Sequence, residues 1–155
     1  MGIIFLARQA RVLVPRKYYP ALAQVFFRLL SMFYKGNWVT CPCCGGNFRR
    51  FLPLGKRSNV WCPRCGSMER HRLLWLYLKY KTNLFTDMLT LLHFAPEFIY
   101  QKVFKRLPNL AYISADLDSP LAMLKADITN ISCQNNAFDV ILYSHVLEHI
   151  VRPQT

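Results

Sequence analysis

Acidic side chains are scarce in the first half of this chain. Residues 1 to 82 contain one carboxylate, Glu69, against fifteen lysines and arginines, and the whole chain carries a formal net charge of +12. Such a one-sided charge favours an anionic partner, which can be nucleic acid, lipid head groups or a phosphorylated substrate. A basic surface that only keeps the protein in solution is an equally good interpretation of the composition.

Long apolar runs are missing as well. The apolar stretch at residues 2–7 is too short for the core of a secretory signal and runs into Arg8 and Arg11. No run reaches the length that spans a bilayer, so we expect no transmembrane segment. Without a secretory signal, the cysteines predict a reducing, cytoplasmic setting rather than disulfides.

Residues 20 to 34 predict an amphipathic helix, with Gln24 and Arg28 opposite an apolar stripe. The stripe consists of Leu22, Val25, Phe26, Leu29 and Phe33. Four basic residues lie upstream, namely Arg8, Arg11, Arg16 and Lys17. Packing of the stripe against the rest of the protein is the favoured interpretation, and peripheral contact with an anionic membrane is the alternative. We assign residues 1–36 to this basic N-terminal helical region.

Cysteine occurs in two CPxCG motifs, which begin at Cys41 and at Cys62, with seventeen residues between Cys44 and Cys62. Each motif turns sharply enough to direct two thiolates at one tetrahedral ion, with glycine at the strained position of the turn. The spacing predicts a zinc ribbon over residues 37–66, with the ligands Cys41, Cys44, Cys62 and Cys65. Because four thiolates leave no open coordination position, we expect a structural Zn²⁺.

Basic and aromatic side chains alternate between the two motifs. The basic residues are Arg49, Arg50, Lys56 and Arg57, and the aromatic residues are Phe48, Phe51 and Trp61. This composition can grip phosphates and stack bases. A solvated basic loop around a small hydrophobic plug explains it equally well.

A connecting helix is predicted within residues 67–86. Ser67 is a suitable N-cap, and Glu69 lies in the first turn, where a carboxylate suits the helix dipole. The predicted buried stripe consists of Leu73, Leu76, Tyr77 and Tyr80.

After residue 86 the pattern changes to short apolar runs around one helical segment. The runs at 89–93, 110–115, 124–126 and 140–143 predict strands, and the segment from Pro96 to Pro108 predicts a helix. This alternation is typical of βαβ units and a parallel sheet, so the fold class is α/β.

Four segments of this second half resemble the type 11 class I S-adenosylmethionine-dependent methyltransferases. They are LHFAPE at 92–97, YISAD at 112–116, ADIT at 126–129 and FDVILYSHVLEH at 138–149. The CPxCG motifs followed by SMERHR at 67–72 resemble a zinc-ribbon-bearing subgroup of these enzymes. The resemblance covers residues 36 to 151 and implies a partial Rossmann-like methyltransferase sheet over residues 87–155.

The resemblance also implies S-adenosyl-L-methionine as cofactor and a set of residues that bind it. The cofactor loop would be Phe94, Ala95, Pro96 and Glu97. Asp116 would bind ribose, Asp127 with Ile128 would face adenine, and Ser144 with His145 would line the reaction end. No catalytic residue is indicated. Each residue also has a structural explanation, since Asp116 can end a strand, Asp127 can cap a turn and Glu97 can favour a helix N-terminus.

Glycine is lacking where the family places a glycine-rich turn, because Gly66 is the last glycine in the chain. The family's sheet has seven strands, whereas four can be read here before Thr155. We therefore expect an incomplete methyltransferase domain with an exposed edge at its fourth strand, in which activity need not survive.

The expected function is methyl transfer from S-adenosylmethionine to an acceptor that the sequence does not identify. RNA, a glycan and a small molecule all remain open. The alternative is a zinc-ribbon module that binds nucleic acid through its basic half and has no catalytic activity.

Overall fold

A computed structural model of the chain describes residues 19–131, 133–144 and 146. The chain divides into two compact units, Met1–Leu73 and Leu74–Thr155. The structure is mixed α/β, as the sequence predicts.

From residue 19 onward, the first unit contains one helix, then two small antiparallel hairpins and the start of a second helix. Helix α1 spans Tyr19–Phe33. The first hairpin joins β1 (Lys35–Thr40) to β2 (Asn47–Phe48), and the second joins β3 (Leu52–Leu54) to β4 (Arg57–Trp61). Each hairpin is closed by few backbone hydrogen bonds, so neither is expected to be stable alone.

Helix α1 exposes the apolar stripe that the sequence predicts to be buried. Leu22, Val25, Phe26, Leu29 and Phe33 are all exposed, Phe33 at 81%. The predicted packing of this stripe against the protein is therefore wrong. The helix instead packs through Phe27, whose ring lies edge-on to Trp61 at 6.4 Å between centroids, and a Cβ on Gly66 would lie 2.9 Å from that ring.

The hydrophobic core of the ribbon is built from Cys41, Phe48, Phe51 and Cys62. Phe48 is 2% exposed and Phe51 is 8% exposed, so neither ring is available to stack a base. The plug interpretation of these two aromatic residues is confirmed. The Arg72 guanidinium lies 4.1 Å from the centre of the Phe51 ring, which adds a cation–π contact at the edge of this core.

Helix α2 spans Glu69–Lys81, and the division between the two units falls within it. Ser67 does not cap it. The ring nitrogen Nδ1 of His71 accepts the Met68 N–H at 3.0 Å, in the manner of a capping box.

The predicted buried stripe of α2 is also wrong, because its four members are exposed: Leu73, Leu76, Tyr77 and Tyr80. Trp75 and Leu78 are buried instead, and the Trp75 ring contacts the rings of Phe85 and Phe104. The helix carries apolar residues at two overlapping helical spacings, and the aromatic partners of Trp75 select one of them.

The second unit is a four-stranded parallel sheet. Its strands are β5 (Leu89–Phe94), β6 (Leu110–Asp116), β7 (Leu124–Lys125) and β8 (Val140–Tyr143), in the spatial order β7-β6-β5-β8. Strand β8 lies at an edge of the described sheet. Its Ile141 and Tyr143 are about half exposed, so the burial on both faces that its apolar run suggests is wrong.

Helix α3 spans Phe98–Phe104 and is shorter than the pattern from Pro96 to Pro108 predicts. It buries Tyr100, Gln101 and Phe104. Rings of Tyr100 and Phe104 contact His93 of β5, so α3 covers the sheet face on which His93 lies. The alternate residues Leu92 and Phe94 form a separate cluster with Ala115, supported by Ile113, Ala126, Ile128 and Phe138.

Within the described part of the chain, every helix is too short or too polar to cross a bilayer.

Candidate metal centre and sheet-edge site

Four cysteine sulfurs converge in the ribbon. Cys41, Cys44, Cys62 and Cys65 place their Sγ atoms within 4.8 Å of one another, and the Cys41–Cys65 and Cys44–Cys62 pairs are 3.7 Å apart. A tetrahedral ion with Zn–S bonds of about 2.3 Å would separate its sulfurs by about 3.8 Å. The cluster therefore fits a metal ion such as zinc.

Two equivalent backbone turns hold these sulfurs. The Gly45 N–H donates to the Cys41 carbonyl at 2.8 Å, and the Gly66 N–H donates to the Cys62 carbonyl at 2.9 Å. Both glycines have a left-handed backbone, with φ of 65° and 71°. Any other residue would be strained there, which explains the glycine after the second cysteine of each motif.

Ser67 lies beside the sulfurs rather than at a helix cap. Its Oγ is 3.2 Å from Cys41 Sγ and 3.3 Å from Cys65 Sγ, and the residue is fully buried. The Arg64 backbone N–H also donates to Cys62 Sγ at 3.5 Å. Hydrogen-bonding groups beside the sulfurs orient them and partly offset the charge of thiolates, so they support a metal bound to this cluster.

The thiols influence one another strongly. The pKa of Cys41 is lowered, chiefly because the neighbouring thiols, first those of Cys43 and Cys44, favour its ionised form. The pKa of Cys62 is raised by its hydrogen bond with Cys41 and by burial. One thiolate thus forms readily, and its negative charge opposes ionisation of the other thiols. A bound cation compensates this charge and allows the other thiols to ionise.

Cys43 and Cys133 lie outside the set of four. Cys43 Sγ donates to the His71 carbonyl at 3.7 Å, and Cys133 is exposed. Cys43 is thus a spare thiol beside the cluster. The set of four leaves no coordination position open, so its metal would hold the ribbon together rather than activate water.

The second site lies at the carboxyl edge of the sheet. From β5 the chain passes to β6 and β7 on one side, and β8 lies on the other side of β5. The register pairs Phe94 with Ala115 and with Tyr143, so the three strands end at the same level. The next residues, Ala95, Asp116 and Ser144, therefore lie at one edge, where the direction of strand connection reverses.

The loop after β5 has an unusual backbone. Ala95 has a φ of 48°, in the left-handed region, and its N–H donates to the Ala115 carbonyl at 3.0 Å. Pro96 is buried, and Glu97 is the N-cap residue of α3 without a side-chain capping bond. Phe94 is buried in the cluster with Leu92 and Ala115, so its ring does not reach the edge.

Asp116 ends β6 and forms the turn that follows this strand. Its Oδ1 accepts the N–H groups of Asp118 and Ser119 at 2.8 and 2.7 Å, which forms a turn after β6. The same residue lines an open depression of about 250 Å³. The other residues of this depression are Leu117, Asp118, Ser119, Ala122, Leu124 and Lys125. A carboxylate has a second oxygen, so the turn leaves Asp116 with acceptor capacity.

The remaining predicted cofactor residues are less closely grouped. Asp127 Oδ1 accepts both the N–H and the hydroxyl of Thr129 at 2.8 Å, which lowers the pKa of Asp127 and confirms that it caps a turn. Ile128 packs beside the Leu92 and Phe94 cluster. Neither lines the depression next to Asp116. His145 lies outside the described residues.

Sequence reasoning missed a buried polar cluster beneath α3. His93 is fully buried, and its Nδ1 lies 3.0 Å from the Tyr112 hydroxyl, while Gln101 donates to Ser114 Oγ at 3.2 Å. Burial lowers the pKa of His93 to about 4, and the carboxylate of Glu97 raises it by a smaller amount. The sequence feature that could have indicated this cluster is a histidine within an otherwise apolar strand.

Comparison of the chain with models of protein families, with curated proteins and with solved structures finds no match. The chemistry of both sites therefore rests on the residues and geometry described above.

Proposed function

We propose that the second unit binds S-adenosylmethionine at the carboxyl edge of its sheet and that the chain serves methyl transfer. One observation carries this proposal. The strand order β7-β6-β5-β8 is 3-2-1-4 in chain order, as in half of a doubly wound sheet, and ligands of such sheets bind where the order reverses. That point lies between β5 and β8, beside the loop that resembles the family's cofactor loop.

The chain's own residues would bind and orient the cofactor. Asp116 would accept hydrogen bonds from ribose hydroxyls, and Ala95 would supply the left-handed turn that the family makes with glycine. Asp127 and Ile128 would face the adenine, and Ser144 would lie near the reacting end. The bound cofactor supplies an activated methyl group, so the protein's task is to hold the acceptor in line and to exclude water.

The ribbon is proposed to hold a structural Zn²⁺ through Cys41, Cys44, Cys62 and Cys65. Thiolate ligands and a closed tetrahedral arrangement are the features that select zinc for such a role. Free thiols that remain available for a metal also favour a reducing compartment, which agrees with the expected cytoplasmic setting.

Calorimetric titration with S-adenosylmethionine and S-adenosylhomocysteine tests the cofactor proposal. We expect saturable binding that is weakened about tenfold by Asp116→Asn, since one charged hydrogen bond contributes about 1.5–3 kcal/mol. Asparagine keeps an Oδ1 that can accept the two backbone N–H groups, so the turn after β6 is retained. Asp87→Asn is the matched control, because Asp87 precedes β5 and thus lies at the opposite end of that strand.

Two results would contradict the proposal. The first is no binding by protein whose circular dichroism shows the folded sheet. The second is equal loss of affinity in the Asp116→Asn and Asp87→Asn variants, which would indicate a general effect of charge rather than a ribose contact.

A nucleic-acid-binding ribbon without catalysis is the second candidate. It is favoured by Trp38, which is 88% exposed, and by the exposed Arg49 and Arg50, but weakened by the burial of Phe48 and Phe51. It predicts salt-dependent RNA or DNA binding in a protein that shows no calorimetric signal with S-adenosylmethionine. RNA as methyl acceptor would join both functions, whereas a glycan or small molecule would leave the basic surface unused.

A further inference from the structure

We propose that helix α1 lies in the surface of an anionic membrane and attaches the chain to it. Seven large apolar side chains are exposed along α1 and shortly after it. They are Leu22, Val25, Phe26, Leu29, Met32, Phe33 and Trp38, with exposures of 44 to 88%. So many exposed large apolar side chains within seventeen residues are uncommon on a protein surface that meets only water.

The contacts of α1 keep this face outward. Phe27 is directed at the ribbon, where it meets Trp61 and Gly66, and Leu30 is half-buried. The six exposed apolar residues of α1 itself occur at spacings of three and four, so they lie on one side of the helix. The helix is thus apolar on both sides, and the ribbon covers one of them.

The length of α1 suits attachment in the plane of a membrane. Fifteen residues rise about 22 Å, whereas a helix that crosses the hydrocarbon core needs about 20 apolar residues. Phenylalanine, leucine and tryptophan on the outward face are the residues by which interfacial helices enter the boundary between head groups and acyl chains.

The basic residues near α1 favour a membrane with anionic lipids. Arg28, Lys35, Arg49 and Arg50 are exposed, and Arg8, Arg11, Arg16 and Lys17 precede the helix in sequence. Glu69 is the sole carboxylate of residues 1–73, and it pairs with Arg57 at 2.9 Å. Basic residues near an anionic bilayer each raise binding about fivefold.

Two other partners could cover this face, a second copy of the chain or a nucleic acid, and both fit it less well. A second copy of the chain would bring two strongly basic surfaces together, which like-charge repulsion opposes. Nucleic acid would match the charge, but it has no apolar layer to cover leucine, valine and methionine side chains. A lipid surface satisfies both the charge and the apolar face.

Sedimentation of the full chain with lipid vesicles tests the proposal. We expect binding to vesicles of phosphatidylcholine mixed with phosphatidylserine, and at least about tenfold weaker binding to phosphatidylcholine alone. The double variant Leu29→Ser and Phe33→Ser should lose at least about tenfold in affinity for the mixed vesicles. Leu73→Ser with Tyr80→Ser is the matched control, since it removes an equally exposed leucine and aromatic ring from α2.

Circular dichroism of each variant identifies one that fails to fold, and Met32→Ser then replaces the double variant. Equal binding to neutral vesicles, or equal loss in the α1 and α2 variants, would overturn the proposal. Dimerisation that the α1 variants abolish would overturn it in favour of a second copy. Nucleic-acid binding that the same variants abolish would overturn it in favour of that partner.

Discussion

Ala95 holds the most unusual backbone of the sheet-edge site. A non-glycine residue at φ 48° carries a steric cost of about 1–2 kcal/mol, and Ala95 adopts this backbone in the loop after β5. Strain of this kind persists where the surrounding structure requires it, and it occurs often at ligand-binding loops. Ala95 is therefore a strained residue within the proposed cofactor site.

Replacing Ala95 by glycine should stabilise the second unit. We expect Ala95→Gly to raise the free energy of unfolding by about 0.5–1 kcal/mol, because relief of strain exceeds the added entropy of the unfolded chain. Urea denaturation followed by circular dichroism measures it. Ala111→Gly is the matched control on β6, where the strand backbone is ordinary and the change should be destabilising. Destabilisation of similar size in both variants would show that Ala95 is unstrained.

At the scale of elements, the packing of α3 on β5 encloses an ionisable group. His93 lies between α3 and the sheet, in ring contact with Tyr100, Phe104 and Tyr112. Its pKa is about 4 in the folded protein against 6.5 ordinarily, because burial disfavours the imidazolium. The interface therefore holds a neutral histidine near neutral pH.

Acid should weaken this interface in a defined range. In the unfolded chain His93 binds a proton as the pH falls through 6.5, whereas in the folded chain it does so only near pH 4. The free energy of unfolding is therefore at its full value above pH 6.5 and decreases as the pH falls toward 4. The total loss corresponds to about 3 kcal/mol. Denaturation midpoints across this range measure it.

Two variants separate His93 from other titrating groups. His93→Gln should flatten the pH dependence between 6.5 and 4, whereas Tyr112→Phe should lower stability but keep the dependence, since the imidazole remains. The pKa values of Glu69, Asp87, Asp127 and Asp139 are also lowered, from ordinary values of 4.5 and 3.8, so their contributions are lost at the acid end of this range and below it. The substitution His93→Gln leaves these contributions in place. An unchanged slope in His93→Gln would contradict the assignment.

At the scale of the whole molecule, the two units depend on different sources of stability. The described part of the first unit has four short strands and a core in which Cys41 and Cys62 are principal members. The second has a sheet covered by α3 on one face and a separate apolar cluster on the other. A metal that links four thiolates contributes about 10–16 kcal/mol in small modules, as much as the full stability of a domain.

Removal of the metal should therefore unfold the first unit selectively. We expect a chelator to make Met1–Leu73 sensitive to protease while residues 89–144 stay protected, as read from the masses of the fragments. Cys62→Ser should reproduce this effect without chelator. Cys133→Ser, at an exposed cysteine outside the cluster, should not. A chelated protein with unchanged cleavage would show that the ribbon folds without metal.

Local sequence patterns determined much of this structure. The strands at 89–94, 110–116 and 140–143 lie within one residue of their predicted bounds, since a short apolar run between turn residues is a local signal. The convergence of four cysteines followed from the CPxCG spacing, because each motif makes its turn from five adjacent residues. The glycine at positive φ in each motif belongs to the same local chemistry.

Only the tertiary structure decided which faces are covered. Leu73 and Tyr80 lie at helical spacings as suitable for burial as those of Trp75 and Leu78, but Trp75 and Leu78 are buried because the Trp75 ring contacts Phe85 and Phe104. The stripe of α1 is exposed for the same reason, since the ribbon packs on Phe27 from the other side. Helical spacing predicts which residues share a face of a helix. Whether that face is buried depends on side chains that are distant in sequence, and local patterns carry no information about those side chains.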